Sequence, residues 1–234
     1  MPSLARSVNP EILDSLPPDD PRAMHSRRDI RRINVLMLQS KIMANLLSSR
    51  CVKVPRTLFD LGAGDGTFTL EVARRLAPKW RDVKLILLDQ QDVVSMETQK
   101  EFLGLGWKVE IIAADVFDFL KNRDSAVDAI ITNLFLHHFP GPDLAKLLAL
   151  AAQRTDFFGA CEPRRAPFAL AASHMVWAIG ANDVTRYDAV ASVRAGFHDG
   201  ELSALWPKDR GWELAEWSAI PFTHCFAARH NPND

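Results

Sequence analysis

The stretch "TLFDLGAGDGTFTLEVARRL", residues 57–76, decides the fold of this chain. It begins with a short, mainly apolar run that reaches Asp60, continues through Gly62, Gly64 and Gly66, and ends in the amphipathic run "TFTLEVARRL". That order predicts a buried strand, a tight turn and a helix. Because glycine permits positive φ angles and close approach of the backbone, the turn is predicted to face a ligand.

Four more apolar runs follow this stretch, and helical patterns separate them. The runs are "VKLILLD", "KVEIIAAD", "AVDAIITN" and "TDFFGACEP". Their continuous apolar character predicts strands buried on both faces, and their alternation with helices predicts an open parallel sheet. Two further runs near the C-terminus, "GWELAEWSAI" and "FTHCFAARH", predict an antiparallel hairpin at the sheet edge. The fold class is therefore α/β, with a mostly parallel, seven-stranded sheet.

The first part of the chain has a different character. Residues 1–54 are predicted to form an N-terminal arm and a helical cap, in which residues 1–25 have little structure of their own and residues 26–50 form one long helix or two shorter ones. Residues 55–234 form the main domain, with an inserted helical region at about 165–207. The apolar stripe of the cap is expected to pack on the domain, which argues against a membrane-surface helix, and a lid over the ligand is the alternative.

Composition narrows the function classes. The chain has 234 residues, 47% of them hydrophobic, and a net charge of −1, which argues against a disordered chain and against a general nucleic-acid binder. The three cysteines are scattered and form no CxxC pair, so neither a disulfide framework nor a zinc motif is expected. No signal-like or membrane-spanning run is found. We expect a cytoplasmic protein without a membrane partner, and the oligomeric state stays open.

Polar residues end four successive strands of the predicted sheet, at the edge where open α/β sheets bind ligands. Asp60 suits a cationic ligand better than a pyrophosphate, and the turn reads G-x-G-x-G rather than G-x-G-x-x-G. S-adenosylmethionine (SAM) is such a cationic nucleoside. Asp89 can accept ribose hydroxyls, which NAD also presents, and Asp115 can accept from an adenine amino group. Asn133 ends the fourth strand.

The segments "LFDLGAGDGTFTL", "LILLDQQ", "IIAADVFDF" and "AIITNLFLHHF" resemble the ordered motifs of class I SAM-dependent methyltransferases over roughly residues 55–160. The resemblance implies a Rossmann-like methyltransferase fold, SAM as cofactor and S-adenosylhomocysteine (SAH) as product. It also implies three groups of cofactor contacts: Asp60, Gly62, Ala63 and Gly64 at the methionine part; Asp89, Gln90, Asp115 and Val116 at ribose and adenine; Asn133 and Leu134 near the methyl group. "CEPRR" and "NDVTRYDAVASVRAGF" also resemble bacterial methyltransferases of aromatic polyketide or quinone-like products.

Two adjacent histidines, His137 and His138, follow the fourth strand in "NLFLHHFPGP" and are the candidates for a general base. Adjacent residues point in different directions, so at most one of the two is expected to face the ligand. The alternative is that one packs under the loop and the other faces water. No metal is expected, because no cysteine or carboxylate cluster accompanies them.

Two further features have open interpretations. Glu162 follows the fifth strand and either contacts the acceptor or pairs with Arg164 or Arg165. The polar segment 180–197 either forms an acceptor wall or is a hydrogen-bonded network that holds the cap.

We predict SAM-dependent methyl transfer to a small-molecule acceptor, with O-methylation of a phenolic or polyketide-derived compound as the specific hypothesis. A nucleic-acid acceptor is not expected, because the residues from Asn133 lack the N/D-P-P-Y/F run that clamps a flipped base. The alternatives are an NAD(P)-dependent oxidoreductase, which the glycine spacing and Asp115 oppose, and a non-catalytic SAM-binding protein.

Overall fold

A computed structural model describes residues 4–123, 126–208 and 211–231. Seven strands form one sheet: β1 Thr57–Leu61, β2 Lys84–Asp89, β3 Lys108–Ala113, β4 Ala129–Asn133, β5 Phe157–Pro163, β6 Trp212–Ala219 and β7 Thr223–His230. The strand order is β3-β2-β1-β4-β5-β7-β6. Strands β1 to β5 are parallel, and β7 pairs antiparallel with both β5 and β6. This arrangement confirms the predicted mostly parallel sheet with an antiparallel C-terminal hairpin.

Helices cover the sheet and its carboxyl edge. They are α1 Ile12–Ser15, α2 Pro21–Leu36, α3 Gln39–Arg50, α4 Thr67–Leu76, α5 Met96–Gly104, α6 Val116–Asn122, α7 Gly141–Ala152, α8 Pro167–Ser173, α9 Asp183–Ala195 and α10 Glu201–Leu205. Short 3₁₀ helices span Leu136–His138 and Val176–Ile179. In the part of the chain that the structure describes, no helix has both the length and the apolar character to span a bilayer.

The two faces of the sheet build two apolar cores. Leu58 and Ile131 belong to the core that contains α3 and α4, and Phe59 and Ile130 belong to the core that contains α7. Neighbouring residues of one strand point to opposite faces of the sheet. Because both faces are buried here, apolar residues are needed at successive positions along each strand. This is why the strands read as continuous apolar runs.

The N-terminal part contains more regular structure than expected. α2 begins at Pro21, where the Asp20 side chain accepts a hydrogen bond from the Arg22 amide at 2.7 Å, so the prediction that residues 1–25 have little structure is wrong for α1 and the start of α2. The helical run is two helices, which separate at Leu38 with a left-handed φ of 55°. α3 packs in the same core as the sheet, and the division at residue 54 stays a prediction.

The region that follows β5 brings helices to the carboxyl edge. α9 packs against α1, α2 and α8. α10 lies against α7 and β6, and Trp206 behind it is fully buried. Helices α1, α2, α8 and α9 form a roof above the ends of the parallel strands.

Candidate active site

A cavity of about 590 Å³ lies at the carboxyl edge of the sheet, between the strand ends and this helical roof. Its floor contains residues from the turns after β1, β2 and β4, and its roof contains residues of α2, α8 and α9. Of the residues predicted to contact the cofactor, those that line the cavity are Asp60, Gly62, Ala63, Gly64, Asp89, Gln90, Val116, Asn133 and Leu134. His137 and His138 line it as well.

The glycine turn has the backbone conformation that the sequence predicts. Gly62, Gly64 and Gly66 have φ angles of 75°, 55° and 74°, which favour glycine. A Cβ on Gly62 would lie 2.2 Å from the ring of Phe135, so no other residue fits there without moving that ring. The Gly64 amide donates to Asp89 Oδ2 at 2.9 Å, which joins this turn to the end of β2.

Three buried acceptor atoms in the cavity lining have no hydrogen-bond partner among the described residues. They are Asp60 Oδ1, Asn133 Oδ1 and Asn34 Oδ1, the last from α2. Burial, followed by the nearby Asp89 carboxylate, raises the pKa of Asp60 to about 7, although Thr69 donates to its other oxygen. An unpaired buried acceptor is unfavourable, so this lining fits a ligand that brings positive charge and N–H donors. The methionine end of SAM is such a ligand.

The end of β2 has the geometry of a hydroxyl acceptor. Asp89 accepts the Gly64 amide with one carboxylate oxygen and the Gln91 amide, at 2.9 Å, with the other. These bonds fix the orientation of the carboxylate, and each oxygen retains a further acceptor position for a ribose hydroxyl. Gln90 lies beside it in the cavity lining.

Asp115 is placed differently from the other strand-end acids. It caps α6, where its Oδ1 accepts from the amides of Phe117 at 2.8 Å and Asp118 at 3.1 Å. Its neighbours Ala114 and Val116 line the cavity, whereas Asp115 does not. The contact of Asp115 with adenine therefore stays a prediction. It would be made by Oδ2, the carboxylate oxygen that does not cap α6.

His137 lies between two carboxylates. Its Nδ1 is 2.8 Å from Glu162 and its Nε2 is 3.2 Å from Glu11 of the N-terminal arm. Burial alone lowers the pKa of His137, but the hydrogen bonds to the two carboxylates outweigh it and raise the pKa to about 9. His137 is therefore an imidazolium at neutral pH. A ring in this state has no lone pair with which to accept a proton.

Glu162 organises the turn that carries the histidines. Besides His137, it accepts hydrogen bonds from the amides of Phe135 at 3.0 Å and Leu136 at 2.9 Å. Neither interpretation from the sequence is correct, since Glu162 is fully buried and the ion pair of Arg165 is with Glu201. The missed signal is the run of free amides in the turn after β4, which needs an acceptor.

His138 is the more accessible histidine. Its side chain is 24% exposed, and its Nδ1 lies 3.1 Å from Asp14 Oδ2. Glu11, His137 and His138 each place a ligand-type atom within 4.8 Å of the others, but a protonated His137 cannot ligate a metal, so the cluster as it stands is an ion-pair network. The premise that no carboxylates accompany the histidines is wrong, because Glu11 and Asp14 come from a segment distant in sequence.

The polar segment 180–197 holds the roof together and also faces the cavity. Asp188 accepts the amides of Ile12 at 2.8 Å and Leu13 at 3.1 Å, and Thr185 donates to Ser26 at 2.9 Å. Thr185 and Asp188 line the cavity too. The hydrogen-bonded network is thus confirmed, and the acceptor wall stays a prediction.

Comparisons with known proteins agree with this geometry. Residues 58–156 match a family model described as a methyltransferase domain. Among curated proteins, none matches this chain. Solved structures do: the plantazolicin methyltransferase BamL, in complex with a triazolic desmethylPZN analog and SAH, has a TM-score of 0.66 at 11% identity, over 94% of this chain and 93% of that one.

Two further solved structures have the same fold. An O-methyltransferase family protein from Burkholderia thailandensis has a TM-score of 0.61 at 18% identity, over 93% of this chain and 64% of that one. Magnesium protoporphyrin IX methyltransferase from Synechocystis PCC 6803, with bound SAH, has a TM-score of 0.57 at 14% identity, over 87% of this chain and 86% of that one. This chain thus spans less than two thirds of the Burkholderia protein. Identities this low establish the fold alone.

Proposed function

We propose that this chain, whose residues 58–156 match a methyltransferase domain, is a SAM-dependent enzyme that methylates a hydroxyl oxygen of a phenolic or polyketide-derived acceptor. The observation that carries the proposal is that the glycine turn after β1 and the histidine pair after β4 line one cavity. A cofactor bound at the turn and an acceptor beside the histidines would meet inside it.

The floor of the cavity is the proposed cofactor side. SAM supplies an activated methyl group on a sulfonium, so the protein has to bind, align and exclude water. We assign Asp60 and Asn133 to the positive methionine end, since both have an unpaired acceptor oxygen. Asp89 is assigned to the ribose hydroxyls, because its carboxylate is already oriented by two amides.

The roof of the cavity is the proposed acceptor side. It presents apolar side chains from several elements, namely Ile33, Met37, Met175, Val176 and Ile179. An apolar wall favours a largely apolar acceptor and keeps water away from the reacting atoms. O-methyltransferases among the structural relatives are consistent with a hydroxyl acceptor.

We assign the general base to His138 rather than to His137. A hydroxyl acceptor becomes a better nucleophile when its proton is removed during methyl transfer. His137 holds its own proton between Glu11 and Glu162, whereas His138 lines the cavity with Asp14 at Nδ1. Asp14 holds the tautomer that protonates Nδ1, so Nε2 is the proton acceptor. His137 has a positioning role, since it ties the arm to the turn that carries His138.

The test is turnover on a panel of phenols and hydroxylated polyketides, with SAH formation and the mass of the product as readouts. Wild-type protein should add one methyl group to a hydroxyl oxygen. His138→Asn should lower kcat by about 100-fold or more, as expected for loss of a general base, and should leave the dissociation constant for SAH unchanged.

The matched control is His198→Asn, which removes a histidine that also lies beside a carboxylate, Asp199, outside the cavity. This variant should keep full turnover. A methyl group found on nitrogen or carbon would reject the hydroxyl acceptor. Normal turnover of His138→Asn would reject the base.

A further inference from the structure

The corner between α2 and α3 exposes apolar side chains that no other described residue covers. Val35, Leu36 and Leu38 are 68%, 61% and 48% exposed. They lie outside the apolar stripe that the helical spacing predicts, whose members, such as Ile33 and Met37 in the cavity lining and Met43 in the core, face the domain.

Two exposed arginines of α2 lie on the same helix face as Val35 of this corner. Met24, Arg28, Arg32 and Val35 are spaced by four, four and three residues, so they lie along one outward face of α2. α2 then gives way to α3 at Leu38, the N-cap residue of α3, which has a left-handed φ of 55°. We call this face and corner the α2 corner surface; its members are Met24, Arg28, Arg31, Arg32, Val35, Leu36, Leu38 and Lys41.

The α2 corner surface is locally basic in a protein of net charge −1. Residues 21–50 contain seven arginines and lysines and a single acid, Asp29, which is buried. Among the described residues, Arg28 and Lys41 have no carboxylate within ion-pair distance, whereas Arg31 pairs with Asp65 and Arg32 pairs with Asp29. Exposed apolar side chains interspersed with unpaired cations are typical of a surface that rests on anionic lipid.

We propose that the α2 corner surface docks this protein on an anionic lipid bilayer. Val35, Leu36 and Leu38 enter the boundary between headgroups and acyl chains, while Arg28 and Lys41 contact the headgroups. This is peripheral binding by side chains and requires no membrane-spanning helix.

Other occupants of the surface fit less well. A two-fold contact with a second copy would place the same cations against each other. A nucleic acid would match the cations, but the surface offers no aromatic side chain for base stacking and exposes three aliphatic ones instead.

The surface is continuous with the cavity. Leu36 belongs to both, and Met175, also exposed, lines the cavity as well. A docked protein would thus take a bilayer-soluble acceptor directly from the lipid. This step rests on the proposed function, whereas docking itself does not.

The experiment is co-sedimentation of the full chain, without SAM or acceptor, with vesicles of phosphatidylcholine alone or with about one third phosphatidylglycerol. Wild-type protein should bind the mixed vesicles, bind pure phosphatidylcholine much less, and lose binding as salt is raised. Val35→Ser combined with Leu38→Asn should weaken binding by about tenfold or more. Asparagine is chosen because it tolerates the φ of Leu38.

The matched control is Met96→Ser combined with Leu103→Ser, which removes two side chains 68% and 60% exposed on α5. It should bind as the wild type does. The proposal is overturned if wild-type protein ignores anionic vesicles, if both double variants bind equally, or if the corner variant instead converts a dimer to a monomer. Because no turnover is measured, these results are independent of the outcome for methyl transfer.

Discussion

At the scale of single residues, the cavity is defined by side chains that lack partners. Asp60 and Asn133 each keep an acceptor oxygen buried without a donor among the described residues. In a folded protein such atoms are costly, and they persist where a ligand supplies the missing donor. The floor of the cavity is in this sense complete only with a cationic ligand.

Asp60 makes SAM binding depend on pH. Burial raises its pKa to about 7 in the free protein, and a bound cation favours the ionised form and so lowers that pKa. Below about pH 7, Asp60 is protonated in the free protein and has to lose that proton when SAM binds. The affinity for SAM should therefore fall by up to about tenfold for each pH unit below about 7, and it should be constant above about pH 7. Titration calorimetry from pH 5 to about pH 8 measures this.

Asp60→Asn should bind SAM more weakly at pH 7 and lose this pH dependence. Asp118→Asn, which removes an exposed acid of α6 outside the cavity, is the control and should follow the wild type. The same pH profile in Asp60→Asn and wild-type protein would exclude Asp60 as the source.

At the scale of elements, the N-terminal arm is held to the turn after β4 by ion pairs and hydrogen bonds, among which the His137–Glu11 pair is buried. Glu11 reaches His137, Asp14 reaches His138, and the Arg6 guanidinium donates to the carbonyl of Phe139 at 3.0 Å. None of these contacts has a local sequence pattern. They form because the arm folds back across the carboxyl edge of the sheet.

This network should loosen at alkaline pH. The pKa of His137 is raised to about 9, above its unfolded value, so its contribution is complete below about pH 6.5 and is lost as pH rises through about 9. The groups that face it are Glu11, Glu162 and the adjacent His138. Limited trypsin cleavage after Arg6 should accelerate by about tenfold or more above pH 9.

Glu11→Gln should show fast cleavage already at neutral pH, because it removes one of the two anions that hold the imidazolium. The exposed Asp19, on the same arm, provides the control Asp19→Asn, which should be cleaved like the wild type. If cleavage is as slow in Glu11→Gln as in wild-type protein, the arm is held by other contacts.

At the scale of the whole molecule, the helices after β5 share their core with the sheet. Trp206 lies with ring centroids 5.2 Å from Phe158 of β5, 5.4 Å from Phe226 of β7 and 5.0 Å from Trp212 of β6. The inserted region therefore ends in the hydrophobic core on one face of the sheet, and we expect both to unfold together.

Trp206→Ala should lower the free energy of unfolding by about 3–5 kcal/mol, because it opens a cavity among these rings. Chemical denaturation followed by circular dichroism should show one transition at a lower denaturant concentration. Trp206→Phe is the matched control: it keeps a ring and removes an indole N–H that has no partner among the described residues, so it should cost about 1 kcal/mol or less. Two separate transitions would show that the region unfolds on its own.

The sequence predicted elements better than contacts. The strands could be predicted from their apolar runs, the turn from its glycines, and the polar strand ends from their place in the order of the chain. All three are properties of the sequence itself. Asp115 and Glu162 show the limit: each was assigned to a ligand or an arginine from its strand-end position. Asp115 caps α6 through the amides two and three residues further along, and its contact with adenine stays a prediction. Glu162 binds amides of the turn after β4, which lies more than twenty residues earlier in the chain.

By itself, the sequence determined the parallel sheet, the hairpin that closes it and the binding loop after β1. These follow from apolar periodicity and from the φ angles that only glycine adopts easily. Only the tertiary structure decided that His137 keeps a proton at neutral pH. His137 and His138 are neighbours of the same type, and their surroundings differ because Glu162 of β5 and Glu11 of the N-terminal arm both reach the ring of His137, whereas Asp14 alone reaches the ring of His138. A pKa is set by neighbours in space, and the local pattern of residues does not contain them.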